Sequence, residues 1–237
     1  MSNRSGIILG AGQLPATGES WRLRLGTVDD LEPSYDLQAH VLGSLSPQDR
    51  YYIVPKTRAH MAEYLEGIDE AALCVLEIDG QQAGQLIVRP RATAHERARH
   101  AQAFTACGNR QLGEYLLVQG ALIDPAWRGR HLLRLMLQAL AKNAFLLGGE
   151  ALLARIVPPN MPSWISFLEA GFIIAAAARD PDDERQVFYL YKEPHPAPLT
   201  GDRTETAPEF KACQTLLSDG WHGTSYDRTA HHIIFSR

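Results

Sequence analysis

The sequence predicts an α/β fold with a mixed sheet, followed by a C-terminal appendage. Segments whose apolar residues alternate, as in strands, are interleaved with segments whose apolar residues recur every three to four positions, as in helices. Residues 114–157 place a strand, an apolar-striped helix and a second buried strand in succession. This succession predicts a βαβ unit with parallel strands and a right-handed crossover. With 45% hydrophobic residues among 237, the chain can build a sizeable core.

The N-terminal part of the chain predicts one strand, two helices and a hairpin. Residues 1–20 are rich in Gly and Ser, and we expect them to form a flexible lead-in. The strand, the two helices and the two hairpin strands are expected, in that order, at residues 21–25, 30–45, 57–65, 73–78 and 84–88. Asp79 and Gly80 are typical of the tight turn between hairpin strands.

The central part is interrupted by a segment rich in Ala, Arg and His at residues 91–112, which is either a polar helix or a mobile insertion. After it the pattern predicts strands and helices in alternation and a final hairpin. Their expected bounds are 114–123 (strand), 130–147 (helix), 151–157 (strand), 160–170 (helix), and 172–178 with 186–191 (hairpin strands around a turn at 180–183). Asp124 and Pro125 end the first of these strands, because Pro cannot continue the ladder.

These patterns divide the chain into three parts. Residues 1–20 are the lead-in, and residues 21–193 form the α/β domain. Residues 194–237 form an extension in which a Pro- and Thr-rich linker precedes a short helix at 210–217 and a last strand at 232–235. We expect the Trp221-His222-Gly223 turn of this extension to be either a lid over the acceptor site or a dimer contact.

Charge and composition exclude several classes of function. A net charge of -4 provides no basic field for a nucleic-acid backbone or an anionic membrane surface. No run of 18 apolar residues is present, and residues 1–14 lack the charged segment followed by a long apolar one that a signal peptide is expected to have. The three cysteines are widely spaced and predict neither a disulfide framework nor a metal site, which favours the reducing cytoplasm. The segment with Gly10 and Gly12 is similar to the start of a dinucleotide-binding loop. Pro15 stands in place of the third glycine and no helix follows, so a dinucleotide site is not expected.

The segment from Leu122 to Leu137 carries the strongest chemical signal, because it places Arg128-Gly129-Arg130 between a buried strand and a helix. The first amides of a helix lack internal partners and, with the helix dipole, form a site for phosphate. Gly129 permits a tight turn that exposes those amides, and the arginines add charge suited to a pyrophosphate. The alternative is an ordinary helix start flanked by solvated arginines.

This segment resembles the acetyl-CoA-binding motif of the GNAT superfamily of N-acetyltransferases. Ile123-Asp124-Pro125 matches the strand end, and Arg128-Gly129-Arg130 matches the start of the loop. His131 and Leu133 stand where the family usually has Gly and Gly or Ala; a side chain at His131 is tolerated if its backbone is helical. The resemblance implies that the acyl-CoA is bound here by Leu122, Ile123, Arg128, Gly129, Arg130, His131, Leu132 and Leu133.

A second segment resembles a later part of the same family and lies about 30 residues downstream. Asn160 follows a strand, and a short helix runs to Phe167 and then to Gly171-Phe172. The resemblance implies that Asn160, Ser163 and Phe167 contact the pantetheine arm or thioester. Many family members have a Tyr at the Phe167 position that protonates the departing thiolate, a role that Phe cannot perform. Together the two matches extend the resemblance over residues 21–193.

The resemblance implies direct transfer of the acyl group from the thioester to an amine. The amine must be neutral to attack, so a general base is expected, and family members often use a carboxylate on the strand before the phosphate turn. Glu114 begins that strand and is the candidate base, the alternative being a charged residue at an open strand end. By alternation Tyr115 faces the other way. Other candidate acids are Tyr189, Tyr191 and His195.

Two functions remain open on this reasoning. The first is an enzyme, an N-acyltransferase that uses acetyl-CoA or another acyl-CoA, needs no metal, and acts on a small-molecule or protein amine. The second is a non-catalytic acyl-CoA-binding or regulatory module on the same fold, which the departures at His131, Leu133 and Phe167 favour. A homodimer is compatible with either.

Overall fold

The computed structural model describes residues 6–67, 71–89, 92–107, 112–180, 184–194, 199 and 201–237. Within them the chain forms seven α-helices and eleven strands, which confirms the predicted α/β class. Two compact units are present. Unit 1 comprises Met1–Arg91 and Leu117–Gly148, and unit 2 comprises Ala92–Leu116 and Gly149–Arg237. The three-part domain division stays a prediction.

The strands and helices follow the predicted order closely after residue 20. The strands are β1 (Ile8–Gln13), β2 (Ser20–Leu25), β3 (Ala72–Ile78), β4 (Gln81–Arg89), β5 (Tyr115–Ile123), β6 (Ala151–Ile156), β7 (Ile173–Arg179), β8 (Gln186–Lys192), β9 (Arg203–Thr206), β10 (His222–Asp227) and β11 (His232–Ser236). The helices are α1 (Leu31–Ser44), α2 (Pro47–Arg50), α3 (Arg58–Glu66), α4 (Ala94–Ala106), α5 (Leu132–Lys142), α6 (Met161–Glu169) and α7 (Phe210–Ser218).

Unit 1 is an antiparallel sheet in the order β1-β2-β3-β4-β5, with helices on both faces. On one face Leu65 of α3 packs with Leu73 and Ile87, and α1 packs on the same face over Leu122. On the other face α5 comes so close to β1 that a Cβ built on Gly10 would lie 2.9 Å from the Cβ of Ala139. The core of this unit therefore lies on both sides of its strands.

Unit 2 has strand order β6-β8-β7-β10-β11-β9 and is also covered on both faces. Neighbouring residues of β8 point to opposite faces. Tyr189 lies 5.9 Å, between ring centroids, from Phe104 of α4, whereas Phe188 lies 6.2 Å from Trp164 of α6. Helix α4 thus covers one face, and α6 the other.

The expected lead-in contains a strand, so its predicted flexibility is wrong for residues 8–13. β1 pairs with β2 through the register Gly12↔Trp21, and Leu9 is buried. Gly10 and Gly12 obscured the strand in the sequence, because a glycine adds no side chain to the period-two pattern. The lack of a Cβ is what lets Ala139 and Trp21 pack closely against this strand.

Residues 94–106 form the helix that was one of two alternatives for the 91–112 segment. The Thr93 side chain accepts a hydrogen bond from the Glu96 amide, and the Glu96 carboxylate accepts one from the Thr93 amide, which is a complete capping box. His100 and Phe104 are buried in unit 2. Residues 108–111 lie outside the described part of the chain.

Two other expectations needed correction. The helix expected at 130–147 is α5 (Leu132–Lys142) followed by a short 3₁₀ helix at Ala144–Leu147, because the backbone of Asn143, with φ of -122°, leaves the helical conformation between them. The described residues of the C-terminal extension form three strands rather than one. β10 and β11 form a hairpin, and β9 pairs with β11 although its residues were assigned to a linker.

Each unit contains a buried ionic contact. In unit 1 the Arg24 guanidinium binds Asp30 at 2.7 Å and Glu77 at 2.7 Å. In unit 2 Arg155 binds Asp180 at 2.6 Å, and both Asp30 and Asp180 are almost fully buried. Charges are retained inside a protein only when such partners compensate the loss of water.

Candidate functional site

The loop that joins β5 to α5 has a defined and unusual backbone. The Asp124 carboxylate accepts the Ala126 amide at 2.8 Å, and residues 125–127 form one 3₁₀ turn. Gly129 follows with φ of 78°, in the left-handed region that favours glycine. A Cβ at Gly129 would meet no atom within 4 Å, so backbone conformation rather than space requires glycine there. The loop thereby turns the chain into the first turn of α5.

His131 is the N-cap residue of α5 and has φ of 57°, so the condition of a helical backbone, under which a side chain is tolerated there, is not met. A left-handed conformation is uncommon for residues with a side chain and costs about 1–2 kcal/mol. It also explains why a glycine is usual at this position of the motif. The imidazole is exposed beside the first amides of the helix, so a phosphate at those amides would be within its reach.

The two arginines of the loop are exposed, and each has a partner within unit 1. Arg128 donates to Ser44 Oγ at 3.0 Å. Arg130 binds Glu19 at 2.8 Å, and its guanidinium lies 4.6 Å from the centroid of the Trp127 ring. Surface contacts of this kind are worth about 1 kcal/mol or less, so a doubly charged pyrophosphate can compete for both side chains.

β5 contains a bulge that the sequence interpretation missed. Gln85 pairs with Leu122 and Ile87 pairs with Gln119, so two residue steps on β4 face three on β5. Gly120 occupies the irregularity with φ of 59°. A bulge of this type bends the strand and interrupts its ladder. A lone glycine within a long apolar strand was the signal that could have revealed it.

Leu122 and Ile123 lie on the loop side of this bulge, at the end of β5. Leu122 is buried against Leu37 and Val41 of α1, and Ile123 pairs with Gly84. A Cβ on Gly84 would come within 2.9 Å of Leu122 O, so the two backbones approach closely. The strand end that was predicted to bind pantetheine is therefore held in place by packing and pairing. Residues 128–133 follow it in the same unit.

The other predicted contacts lie in unit 2. Asn160 is the N-cap residue of α6, and within the described residues its side chain makes no hydrogen bond and can serve a ligand. Ser163 lies in the first turn of that helix. Phe167 is buried, with its ring centroid 4.8 Å from that of Phe172, so its position in the structure is that of a core side chain.

Glu114 lies immediately before β5 and is exposed, whereas the next residue, Tyr115, is buried. This confirms that the two side chains face different surroundings. The Tyr115 hydroxyl lies 2.7 Å from His100 Nδ1. Burial raises the pKa of Tyr115 to about 12 and lowers the pKa of His100 to about 4, so both groups are neutral near pH 7. His100 Nε2 is buried without a partner among the described residues.

The other candidate acids are less suited to the role. Tyr189 and Tyr191 are buried, and both rings contact Phe104 of α4. Burial raises the pKa of Tyr189 above its usual value. His195 lies outside the described residues. Among the described residues no group of three His, Cys, Asp or Glu side chains is placed to hold a metal ion, and none of the described helices has the length and apolar character needed to cross a membrane.

Comparisons with known proteins identify the fold. No protein-family model matches the chain, and no curated protein matches its sequence. The GNAT domain of S. lividans PAT aligns over 78% of this chain and 96% of its own, with 19% identity and a TM-score of 0.55. The aminoglycoside acetyltransferase AAC(6')-Ib, solved with coenzyme A and kanamycin, aligns over 73% and 94%, with 15% identity and a TM-score of 0.53. A Bacillus halodurans protein aligns over 91% and 98%, with 14% identity and a TM-score of 0.56. The chain has the GNAT fold, as the motifs predicted.

Proposed function

We propose that this protein is an N-acyltransferase that uses acetyl-CoA, or another acyl-CoA, as its acyl donor. One observation carries the proposal: the strand end at Ile123 leads through the left-handed Gly129 into the first turn of α5, whose amides receive no side-chain cap from the described residues. Free amides at a helix start bind phosphate, and the strand end offers backbone groups to an extended ligand. The GNAT fold and the coenzyme A found in AAC(6')-Ib support the same assignment.

In this proposal the donor lies along the end of β5. Backbone groups of Leu122 and Ile123 bind the pantetheine amides, and residues 128–133 surround the diphosphate. Arg128 and Arg130 exchange Ser44 and Glu19 for phosphate oxygens. Asn160 and Ser163, at the start of α6, contact the pantetheine arm, whereas the buried Phe167 packs in the core. The bulge at Gly120 interrupts the ladder of β5 and leaves backbone amides available to polarise a carbonyl.

The chemical step is attack of a neutral amine on the thioester carbon, with formation of the C–N bond and cleavage of the C–S bond. The amine proton passes to Glu114, whose carboxylate is exposed. Glu114 precedes Gly120 by six residues, and extended chain of that length spans about 20 Å, so water molecules must relay the proton. Phe167 has no proton to donate, and the thiolate takes its proton from solvent.

The acceptor is an amine of a small molecule or of a protein. The structural neighbours that act on amines include an aminoglycoside acetyltransferase, a ribosomal L7/L12 α-N-protein acetyltransferase and a spermidine acetyltransferase. The three cysteines are buried and unpaired, which fits a protein of the reducing cytoplasm. A homodimer remains part of the proposal.

Donor binding is tested by calorimetric titration with acetyl-CoA. We expect Arg128→Gln to weaken binding about tenfold, because one charge-assisted contact to phosphate is lost. Lys142→Gln is the matched control, since it removes a positive charge from the last turn of the same helix, far from its first amides. Equal affinities of the two variants would exclude the α5 start as the diphosphate site.

Turnover is tested by release of free thiol from acetyl-CoA across a panel of amines, comparing wild type with Glu114→Gln. Loss of turnover with intact acetyl-CoA binding supports Glu114 as the base. Binding of acetyl-CoA without turnover on any amine would instead favour the non-catalytic acyl-CoA-binding module, which the absence of a hydroxyl at Phe167 also favours. Absence of binding would reject both functions.

A further inference from the structure

Trp164 of α6 fixes the connection between β6 and α6 that contains Asn160. Its indole Nε1 donates to Pro158 O at 2.8 Å, and its backbone amide donates to Asn160 O at 3.3 Å. The Trp164 side chain is fully buried. A buried indole N–H needs a hydrogen-bond partner, so the position of the Trp164 ring determines where Pro158 lies. The backbone that presents the Asn160 carboxamide therefore depends on how firmly Trp164 is packed.

Two aromatic rings from different strands pack against Trp164. Phe188 of β8 lies 6.2 Å away between ring centroids, with an angle of 80° between the ring planes. Tyr226 of β10 lies closer, at 5.2 Å and 86°. Edge-to-face pairs of this kind are attractive beyond the apolar area that they bury. The closer contact thus comes from the C-terminal extension, outside residues 21–193 that resemble the GNAT family.

Further contacts hold the hairpin of β10 and β11 against the rest of unit 2. The Tyr226 hydroxyl lies 3.2 Å from His231 Nδ1, across the hairpin turn. Arg228 of the same turn donates to the carboxylate of Glu169, the last residue of α6, at 2.7 Å. β10 also pairs with β7. The hairpin therefore contacts α6 at two places, at Trp164 near its start and at Glu169 at its end.

We propose that Tyr226 is a positioning residue of the acyl-donor site, because through Trp164 it holds Asn160 where the carboxamide meets the pantetheine arm. The inference rests on the proposed acyltransferase function and gives the C-terminal extension a part in it. A hydrogen-bonding side chain contributes its full binding energy only when its neighbours hold it in the bound geometry. Tyr226 supports α6 in this way and does not itself touch the donor.

The test compares two ligands that differ in the pantetheine arm. Acetyl-CoA contains the arm, whereas 3′-phospho-ADP, the nucleotide half of coenzyme A, contains the phosphates without it. In calorimetric titration we expect Tyr226→Ala to weaken acetyl-CoA about fivefold, the worth of one neutral hydrogen bond, and to leave the affinity for 3′-phospho-ADP unchanged. Tyr226→Phe keeps the ring and is expected to bind both ligands as wild type does. Ser225→Ala is the matched control, because Ser225 is exposed and lies on the opposite face of the same strand.

A double-mutant cycle distinguishes the positioning of Asn160 from a general effect on stability. Asn160→Ala is expected to cause the same selective loss of acetyl-CoA affinity, and adding Tyr226→Ala to it is expected to cause no further loss. Trp164→Phe keeps an aromatic ring but cannot donate to Pro158 O, so it should show the selective loss as well. If Tyr226→Ala does not fold, Trp164→Phe takes its place in the cycle.

The outcomes separate this inference from the proposed function. A wild-type protein that does not bind acetyl-CoA would reject the proposed function, and the inference with it. If wild type binds acetyl-CoA and Tyr226→Ala binds it equally well, only the inference is overturned. Equal weakening of both ligands would also overturn it, because the substitution would then act on the fold as a whole. Additive losses in the cycle would overturn it too, because Tyr226 would then act independently of Asn160.

Discussion

Replacing Gly129 with alanine tests the backbone argument at the β5–α5 loop directly. Gly129 has φ of 78°, and a Cβ there would meet no atom within 4 Å. The substitution therefore adds no clash and removes no contact. Its effect comes only from the left-handed backbone, which a side chain disfavours.

The expected magnitude follows from two opposing contributions. The left-handed conformation costs alanine about 1–2 kcal/mol, while the lower entropy of its unfolded chain returns about 0.5 kcal/mol. The net loss in the free energy of unfolding is about 1 kcal/mol. Part of the strain can be relieved by moving the loop, which displaces the first amides of α5. We therefore also expect acetyl-CoA affinity to fall about tenfold, which corresponds to about 1.4 kcal/mol.

Gly43→Ala is the matched control in the same compact unit. Gly43 lies in helix α1, is exposed, and likewise has no atom within 4 Å of a built Cβ. Alanine is favoured over glycine by about 0.5–1 kcal/mol in a helix, so this variant is expected to gain stability and keep its affinity. Urea unfolding and calorimetric titration measure the two quantities. If both variants change stability in the same direction, the left-handed requirement at Gly129 is refuted.

Three further predictions concern buried titratable groups. Asp180→Asn leaves the Arg155 guanidinium without its 2.6 Å partner, and we expect urea unfolding to report a loss of about 3 kcal/mol; a loss below about 1 kcal/mol would show that water replaces the carboxylate. Arg24→Met leaves the buried Asp30 carboxylate without the guanidinium that binds it at 2.7 Å and should cost a similar amount by urea unfolding; a loss below about 1 kcal/mol would show that the hydrogen bonds from Thr27 are sufficient to hold that charge. Burial lowers the pKa of His100 from 6.5 to about 4 in the folded protein, so between these two pH values the unfolded chain binds more protons than the folded one. The contribution of neutral His100 to the free energy of unfolding is therefore full above pH 6.5 and falls by about 3 kcal/mol as the pH drops to 4. His100→Gln should lack that slope in pH-dependent unfolding, and an unchanged slope would assign it to other groups.

Elements with strong local signals were predicted well from the sequence. The Asp79–Gly80 turn joins β3 and β4 as expected, and β7 and β8 form the predicted hairpin, although residues 181–183 of its turn lie outside the described part. Both hairpins join residues that are close in sequence, so turn chemistry and alternation are sufficient to predict them.

The missed elements depend on partners that are distant in sequence or on residues without side chains. β1 contains two glycines, and its identity as a strand comes from pairing with β2. β9 lies in a stretch expected to be a linker and becomes a strand because β11 offers it an edge. The bulge at Gly120 is a mismatch of register between β4 and β5, which no single strand can encode.

The candidate site likewise combines features that local sequence predicts with contacts between residues that are distant in sequence. The sequence by itself determined the glycine turn at Gly129 and the helix start beside it, because backbone preferences act between neighbouring residues. Only the tertiary structure decided that Arg130 pairs with Glu19, 111 residues away, and that Tyr115 bonds to His100. Likewise, the side chain of Gln38 in α1 bonds to the backbone of Lys56, 18 residues away. The reason is physical: a local pattern fixes φ and ψ, whereas packing chooses which distant side chains share a buried space.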